Sequence, residues 1–314
     1  MSARDLTVLV AMCVVWGLHF VVIKTASDAV PPIFYAALRM TLVALLLSPF
    51  LRWRPGRMRT VLAAGVCYGG LNYSLMFTGI SMATASAASV AIELYAPFAT
   101  ILSVVFLGEK VGWRRVGGIA LAFAGVTLIA LGKNGAPGDE SRAALGVGLV
   151  ACAALTEACG SILVKSTNGF RPHELLAWFG VIGTIILWSA TALFERGQVA
   201  AFDASNKAML AGAVVYSAIG ASIFGHTAYY WLLQRLPVSQ VSPSALLVTL
   251  FAVGFSVLLL GEPFTLRFFI GGAMALTGVG VILFRSAKRP IVEPGAPEAG
   301  IVAGAQDRPL EKQA

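Results

Sequence analysis

The feature that most constrains this chain is a succession of apolar blocks, each about 20 residues long and separated by short segments rich in charge, glycine or proline. A helix of about 20 apolar residues spans the ~30 Å hydrocarbon layer of a bilayer. The blocks do not alternate apolar and polar residues, as the strands of a transmembrane barrel do. The sequence therefore predicts an all-α integral membrane protein of ten transmembrane helices, over residues 6–26, 32–51, 59–80, 84–107, 112–131, 146–166, 173–194, 209–234, 240–260 and 265–285.

The composition supports this fold class. Apolar residues make up 58% of the chain and charged residues 12%, which is about half the charged fraction of an ordinary soluble domain. A soluble fold must cover itself with polar groups, whereas a bilayer solvates apolar surface directly. The first block is too long for the apolar region of a typical signal peptide, so we interpret it as the first span.

The basic residues predict the orientation of the chain. Although the net charge is +8, most Lys and Arg residues lie in short loops between apolar blocks, which is typical of membrane topology rather than of nucleic-acid binding. With a cytoplasmic N-terminus, 14 of the loop and terminal basic residues that we assign lie inside and 6 lie outside. Because cytoplasmic loops are enriched in Lys and Arg, we expect both termini in the cytoplasm and no nucleic-acid partner.

The chain contains an internal repeat. Leu107-Gly108-Glu109 recurs as Leu260-Gly261-Glu262, and the same offset of 153 maps Gly118 onto Gly271 and Gly125 onto Gly278. Five spans are an odd number, so the second copy is predicted to cross the membrane in the opposite orientation. Such inverted repeats place a solute site near the midplane at the repeat interface. We predict repeats over residues 5–131 and 146–285, followed by a disordered cytoplasmic tail over 286–314.

Several polar residues lie within the predicted spans, where a charge costs at least ~2.5 kcal/mol at the bilayer centre. At a rise of 1.5 Å per residue, Arg39, Glu93, His19 and Asn72 lie at a shared depth of roughly 10–14 Å below the outer face. An Arg39–Glu93 ion pair would satisfy both charges, either as a structural lock or as the floor of a solute cavity. In the second case Glu93 is a candidate for proton exchange. Glu157, which lies near the midplane without an evident partner, is a second candidate.

Aromatic residues also interrupt the spans away from their ends. The mid-span aromatic residues, which either pack as core or line a cavity, are Trp16, Tyr68, Tyr73, Tyr95, Trp178 and Tyr216. Of these, Trp16, Tyr73 and Tyr216 form the predicted substrate cavity together with His19, Asn72, Glu93 and Glu157. Tyr229, Tyr230 and Trp231 lie near a span end, a position typical of the aromatic belt at the membrane surface.

The sequence predicts neither an enzyme nor a cofactor site. It contains no GxxxxGK[ST] phosphate loop, no HExxH and no GxSxG motif. Its four cysteines, Cys13, Cys67, Cys152 and Cys159, lie within apolar blocks without CxxC spacing, so no metal site is predicted.

Several motifs follow one another in order over residues 5–285: Trp16-Gly17-Leu18-His19, Pro31-Pro32, Leu38-Arg39, the two Leu-Gly-Glu triplets, Gly117-Gly118-Ile119-Ala120 with Gly125, and Ser242-Pro243. Their order and double occurrence resemble the EamA-type family of the drug/metabolite transporter superfamily. The resemblance implies two inverted EamA repeats and secondary transport, usually export from the bacterial cytoplasm. One departure is Leu250 in the ninth span, where members often carry a proline. Pro97 occupies the equivalent position in the fourth span.

Among family members, the pattern is most similar to amino-acid exporters. We therefore expect an inner-membrane secondary transporter that exports aromatic or small neutral amino acids, or related metabolites, by alternating access. Its expected partners are a small-molecule substrate and the lipid bilayer. The alternatives are an exporter of drugs or other small metabolites, and a lipid-acting membrane enzyme, for which no catalytic cluster is evident. The coupling ion, the direction of transport and the choice between monomer and homodimer stay open.

The basic bias predicts the outcome of topology mapping. Reporter fusions at Asn134 and Phe202 should report a periplasmic location, and fusions at Arg57 and after Arg289 a cytoplasmic one, because the bias orients all loops together. Activity of periplasmic and cytoplasmic reporters at each position is the measurement. A single reversed position would contradict the inverted arrangement of the repeats.

Overall fold

The computed structural model describes residues 2–108, 111–132, 140–165, 169–233, 235, 236, 238–241 and 243–286. Within these ranges, nine helices are long and apolar enough to cross a membrane, and a further apolar helix has 17 residues. In chain order the ten are α1 (Ala3–Ala29), α2 (Pro32–Leu47), α3 (Met58–Met82), α4 (Ala85–Phe106), α5 (Trp113–Ala130), α6 (Glu140–Lys165), α7 (Pro172–Phe194), α8 (Lys207–Leu233), α9 (Ser244–Leu260) and α10 (Leu266–Ser286).

The helices confirm the all-α membrane fold class. A short helix, Gln198–Ala204, lies between α7 and α8, and another, Val238–Val241, precedes α9. Beyond Ser286, the predicted tail lies outside the residues that the structure describes, as does Glu109 of the first Leu-Gly-Glu triplet.

Glycines allow α5 and α10 to cross in close contact. A side-chain carbon on Gly118 would lie 2.8 Å from the carbonyl oxygen of Gly278, and one on Gly278 would meet the carbonyl oxygen of Gly118. Gly125 and Gly271 face each other in the same reciprocal way. Since the repeat maps Gly118 onto Gly271 and Gly125 onto Gly278, exchanging the repeats converts one contact into the other. Reciprocal contacts of this kind indicate a two-fold axis, which inverted repeats require.

Helix α3 also uses glycines to approach the second repeat. Gly69 lies against Gly183 of α7, and Gly79 lies against Gly146 of α6, again with each backbone blocking a side chain on the other. Such small residues permit the close backbone packing that associates helices in lipid. The repeats are therefore interleaved rather than joined at a single surface.

Carboxylates join the helix ends across the repeats. Glu195, which follows α7, accepts hydrogen bonds from the amides of Ile33 (2.8 Å) and Phe34 (2.9 Å) at the start of α2. Glu262 of the second Leu-Gly-Glu triplet accepts hydrogen bonds from the amides of Ala85 (2.6 Å) and Ser86 (3.0 Å) at the start of α4. The first amides of a helix have no partner within it and carry partial positive charge, so both contacts are favourable.

At the opposite face of the membrane an ion pair joins α2 to α7, the two helices that Glu195 also joins. Glu174, in the first turn of α7, lies 3.0 Å from Arg54 and 3.5 Å from Arg52, both of which follow α2. Helices α2 and α7 are thus tied at both ends.

Three spans contain non-α segments near their middles. Helices α3 and α8 widen to π-helix over Val66–Leu71 and Tyr216–Phe224. Helix α4 tightens to 3₁₀-helix over Ile92–Leu94, directly before Pro97. A proline removes the hydrogen bond to the carbonyl four residues earlier, here Glu93, which explains this irregularity. Helix α9, with Leu250 at the corresponding position, is regular over Ser244–Leu260.

The glycine crossing can be tested with a matched pair of substitutions. Gly117 precedes Gly118 on the same helix, but nothing lies within 4 Å of a side-chain carbon placed there. Gly125→Ala should destabilise the protein by about 1–3 kcal/mol, because the added carbon meets the backbone of α10. Gly117→Ala should be neutral or raise stability by up to about 1 kcal/mol, since alanine favours helix.

Thermal unfolding of both purified variants in detergent measures this difference. An equal loss of stability in the two variants would contradict the proposed crossing.

Candidate functional site

A cavity of about 290 Å³ lies between the two repeats and is lined by every span except α5 and α10. Its wall is largely aromatic and includes the rings of Trp16, Tyr68, Tyr73, Tyr95, Phe179, Tyr229 and Tyr230. Polar groups reach it from Glu157, Ser222, His226 and Ser244. An apolar wall with a few placed polar groups is typical of sites that bind small molecules.

The cavity occupies one half of the bundle. It extends from mid-span residues such as Trp16 and Glu157 to Val164 and Pro172, at the connected ends of α6 and α7. This face also carries the N-terminus of α1, since α1 to α6 cross an even number of times. A second cavity of about 420 Å³ adjoins it through Pro172, Leu176, His226 and Tyr230.

Large side chains fill the other half of the bundle. Ile23, Tyr35, Phe77, Ile80 and Leu187 are fully buried there. With the Glu195 and Glu262 contacts at the helix ends, this half is closed across the repeat interface. The conformation is therefore open toward the face predicted to be cytoplasmic and closed toward the opposite face.

Of the seven residues predicted for the substrate cavity, Trp16, Tyr73 and Glu157 line it. Glu157 is half-buried, and its nearest hydrogen-bond donor is the Asn72 amide at 3.5 Å, a long contact. The same amide donates a shorter bond, 2.9 Å, to the carbonyl oxygen of Ala153. The Glu157 carboxylate is thus held loosely at the cavity wall, while Asn72 joins α3 to α6 behind it.

Of the remaining predicted residues, His19, Asn72 and Glu93 are buried beside the cavity and Tyr216 is half-buried. Glu93 accepts a hydrogen bond from the Thr249 hydroxyl (2.7 Å), which links α4 to α9. The Tyr216 hydroxyl donates to the carbonyl oxygen of Val15 (2.8 Å), and the His19 Nε2 lies 3.0 Å from the Ser217 hydroxyl, so both link α1 to α8. In this conformation these groups join helices rather than line the cavity.

The predicted Arg39–Glu93 ion pair is wrong for this structure. Arg39 extends toward α8, where its Nε donates to the Ser217 carbonyl oxygen (3.3 Å) and its Nη2 to the Ser222 hydroxyl (2.8 Å). Its guanidinium carbon also lies 4.3 Å from the centre of the Tyr73 ring. A shared depth allowed the pair, but the two side chains leave their helices in different directions.

The π-helical segment of α8 explains why side chains of the first repeat converge on it. A π-helix shifts backbone hydrogen bonds out of the regular pattern, and a carbonyl group without a partner is costly in a bilayer. Arg39 donates to the carbonyl oxygen of Ser217, and the Trp16 indole donates to that of Ala221 (2.8 Å). Interruption of α8 thus creates the acceptors that join α8 to α1 and α2.

The hydrogen-bond chain around Ser217 has a defined direction. The Tyr35 hydroxyl donates its only proton to the Ala213 carbonyl oxygen (3.1 Å), so it must accept from the Ser217 hydroxyl (2.6 Å). Ser217 must in turn accept from His19, whose Nε2 therefore carries a proton. The Nδ1 of His226 lies 2.8 Å from the Ser222 carbonyl oxygen. Because a carbonyl oxygen can only accept, this nitrogen carries a proton. A neutral His226 then has Nε2 free to accept a hydrogen bond.

Sequence reasoning missed several cavity residues. Tyr229 and Tyr230 were assigned to the membrane surface, but both line the cavity. Tyr68 and Tyr95, for which core packing and cavity lining were both left open, line it too. A signal was present on α8: Ser222, His226 and Tyr229 recur at intervals of four and three residues, which places them on one helix face. No comparable pattern distinguishes Tyr68 or Tyr95 from packed aromatic residues.

The part of the chain that the structure describes holds no cluster of three or more His, Cys, Asp or Glu side chains suited to a metal ion. All four cysteines are free thiols.

Comparisons with known proteins agree with this geometry. The EamA-like transporter family model matches residues 5–131 and 144–284. A protein of Escherichia coli (strain K12) named "Probable amino-acid metabolite efflux pump" is 30% identical over 303 residues, covering 94% of this chain and 100% of that protein. A protein of the same name from Salmonella typhimurium is 28% identical, covering 90% of this chain and 96% of its own length.

A more distant relative and a solved structure extend the comparison. A protein of Streptantibioticus cattleyicolor named "Probable terminal-alkyne amino-acid exporter" is 26% identical, over 65% of this chain and 66% of its own length. A solved crystal structure that is 19% identical superimposes with a TM-score of 0.56, covering 92% of this chain and 100% of that one, and it supports the fold. The family match, which confirms the resemblance seen in the motifs, shows that the chain belongs to the EamA-like transporter family.

Proposed function

We propose that this protein is a secondary transporter of the bacterial inner membrane that exports aromatic or small neutral amino acids, or related metabolites. Membership of the EamA-like transporter family supports membrane transport. The names of three relatives, two efflux pumps for amino-acid metabolites and one amino-acid exporter, support the class of solute. The observation that carries the proposal is the aromatic cavity with a loosely held carboxylate between the repeats.

The size of the cavity favours a small solute. Its volume of about 290 Å³ lies at the lower end of the ~300–1,000 Å³ typical of small-molecule sites. A drug-sized ligand would need the adjoining cavity as well. A single amino acid fits the first cavity without it.

The wall of the cavity suits an amino acid. The Glu157 carboxylate supplies a partner for an ammonium group, and the free Nε2 of His226 supplies a neutral acceptor. The surrounding tyrosine rings attract cations through their faces and form an apolar surface for a side chain.

Alternating access follows from the inverted repeats. The cavity opens toward the face predicted to be cytoplasmic, where an exporter takes up its solute. Exchanging the conformations of the two repeats would close this face and open the other around the same cavity. Helices α5 and α10 do not line the cavity and cross on the two-fold axis, so we assign them a static role.

Counterflow in proteoliposomes tests the solute class. Vesicles preloaded with one unlabelled amino acid should take up the labelled form, with the fastest exchange among aromatic or small neutral amino acids. Ala245→Trp, which places a large ring in the cavity, should abolish the exchange. Gly254→Trp, on the same helix where nothing lies within 4 Å of an added side-chain carbon, is the matched control and should retain it.

Exchange of cationic drugs without exchange of any amino acid would contradict the proposed solute. Equal loss of exchange in both tryptophan variants would contradict the assignment of the cavity.

The coupling of transport to protons can be tested at Glu157. If this carboxyl carries the coupling proton, Glu157→Gln should abolish transport driven by a pH gradient but retain counterflow, since exchange requires only occupancy and alternation. Asp203→Asn removes an exposed carboxylate that pairs with Lys207 (3.7 Å) and is the matched control. Both assays are measured on each variant and normalised to folded protein.

Glu93→Gln tests the second carboxyl that was predicted to exchange protons. Loss of pH-driven transport in Glu93→Gln alone would transfer the coupling role from Glu157 to Glu93. Unchanged pH-driven transport in both variants would remove the carboxyls from coupling and leave a facilitator.

A further inference from the structure

Arg39 has no counter-charge in the part of the chain that the structure describes, and we infer that it recognises the carboxylate of the transported solute. The inference rests on the proposed function and makes it more specific. A transported solute must then carry a carboxylate. An amine of otherwise identical structure lacks this group.

The first observation is the burial of an unpaired charge. Arg39 is 2% exposed, and its Nη1 has no hydrogen-bond partner. Arginine stays protonated in proteins, so burial cannot neutralise it as it can a lysine or a carboxyl group. None of the ion pairs among the described residues includes it. An unpaired charge at this depth is costly, which favours a functional reason for its presence.

The second observation is the place of Arg39 directly behind the cavity wall. Its Nη2 donates to the hydroxyls of Tyr73 (3.3 Å) and Ser222 (2.8 Å), and both of these residues line the cavity. Only one layer of side chains therefore separates the positive charge from the solute space.

The hydrogen bonds of these two hydroxyls show which of them still has a proton to donate to a solute. Ser222 donates its proton to the Ser217 carbonyl oxygen (3.1 Å). Tyr73 accepts from Arg39 and forms no other hydrogen bond with the residues that the structure describes, so its proton is available for an acceptor in the cavity. A guanidinium that donates to a hydroxyl strengthens that hydroxyl as a donor to an anion. The long 3.3 Å contact also permits Tyr73 to turn aside, which would expose Nη1 and Nη2 to a carboxylate.

The cavity then carries partners for both ends of an amino acid. Tyr73, backed by Arg39, suits the carboxylate, and Glu157 on α6 suits the ammonium group. These groups lie on different repeats, so an amino acid held by both would join the repeats through its own two charges.

A purely structural role for Arg39 makes a different prediction. If Arg39 serves only to join α2 to α8, its loss weakens the fold and affects every solute equally. If it recognises a carboxylate, its loss affects the amino acid and leaves the corresponding amine unchanged. The ratio of the two affinities separates these roles.

Two pairs of ligands supply this ratio: L-phenylalanine with 2-phenylethylamine, and L-threonine with 1-aminopropan-2-ol. Each amine differs from its amino acid by the carboxylate alone. Calorimetric titration of the detergent-solubilised protein measures both affinities. In the wild type, at least one amino acid should bind about tenfold or more tightly than its amine, as expected for a charge-assisted hydrogen bond.

Arg39→Gln should reduce this ratio toward one by weakening the binding of the amino acid alone, and Arg39→Lys should retain part of it. Tyr73→Phe should lower the ratio of amino-acid to amine affinity several-fold. This variant replaces Arg39→Gln in the test if Arg39→Gln does not fold. Arg54→Gln is the matched control, because Arg54 joins helix ends through Glu174 away from the cavity. It should lower thermal stability without changing the ratio.

Equal binding of amino acid and amine by the wild type would overturn the role of Arg39 while leaving amino-acid transport intact. An unchanged ratio in Arg39→Gln, or in Tyr73→Phe where the first variant does not fold, would do the same. Binding of the amines and of neither amino acid would overturn the proposed solute class together with this inference.

Discussion

The structure depends on the satisfaction of backbone carbonyl groups inside a bilayer. Where α8 widens to π-helix over Tyr216–Phe224, its backbone hydrogen bonds leave the regular α-helical pattern. Two carbonyl oxygens of this segment accept from side chains of the first repeat: that of Ser217 from Arg39 and that of Ala221 from Trp16. The same contacts bring α1 and α2 against α8 and place Trp16, Tyr73 and Ser222 around one cavity. An interruption in one helix therefore determines both how the repeats join and where the solute space forms.

The two halves of the helix bundle, one toward each membrane face, are packed differently even though the repeats are related by symmetry. At one face Glu195 and Glu262 bind the amides that begin α2 and α4, and large side chains fill the space between them. At the other face the cavity reaches the ends of α6 and α7. Carboxylate-to-amide contacts suit the opening of this face that the proposed alternating access requires, because each contact is local and can be replaced by water at the membrane surface. The Leu-Gly-Glu triplet that ends α9 thus supplies, through Glu262, a contact between the repeats.

Much of the fold could be predicted because it depends on length, apolarity and small residues. The span lengths, the offset of 153 and the glycines at 118, 125, 271 and 278 are all visible without coordinates. The site was harder to predict because depth along a helix follows from residue number, whereas the direction of a side chain does not. Each residue on a helix turns by about 100°, so a single extra residue in a π-helix redirects every later side chain. Arg39 on α2 and Glu93 on α4 thus share a depth, but they do not meet because their side chains leave the two helices in different directions.

The separation of Arg39 from the buried carboxylates bears on how a transporter can use charge. Had Arg39 and Glu93 formed a close pair, a solute would have had to break a buried salt bridge before it could use either charge, and breaking such a pair typically costs about 3–5 kcal/mol. Instead Arg39 is held by neutral hydroxyl and carbonyl groups, and Glu157 by one long contact from Asn72. Dipoles of this kind lower the cost of burying a charge without cancelling it, so each charge can still attract a solute of opposite charge. The same weak contacts can re-form when the solute leaves, which permits release as well as binding. Under the proposed function, separated charges that are held by neutral groups therefore suit repeated binding and release better than a salt bridge at the same depth.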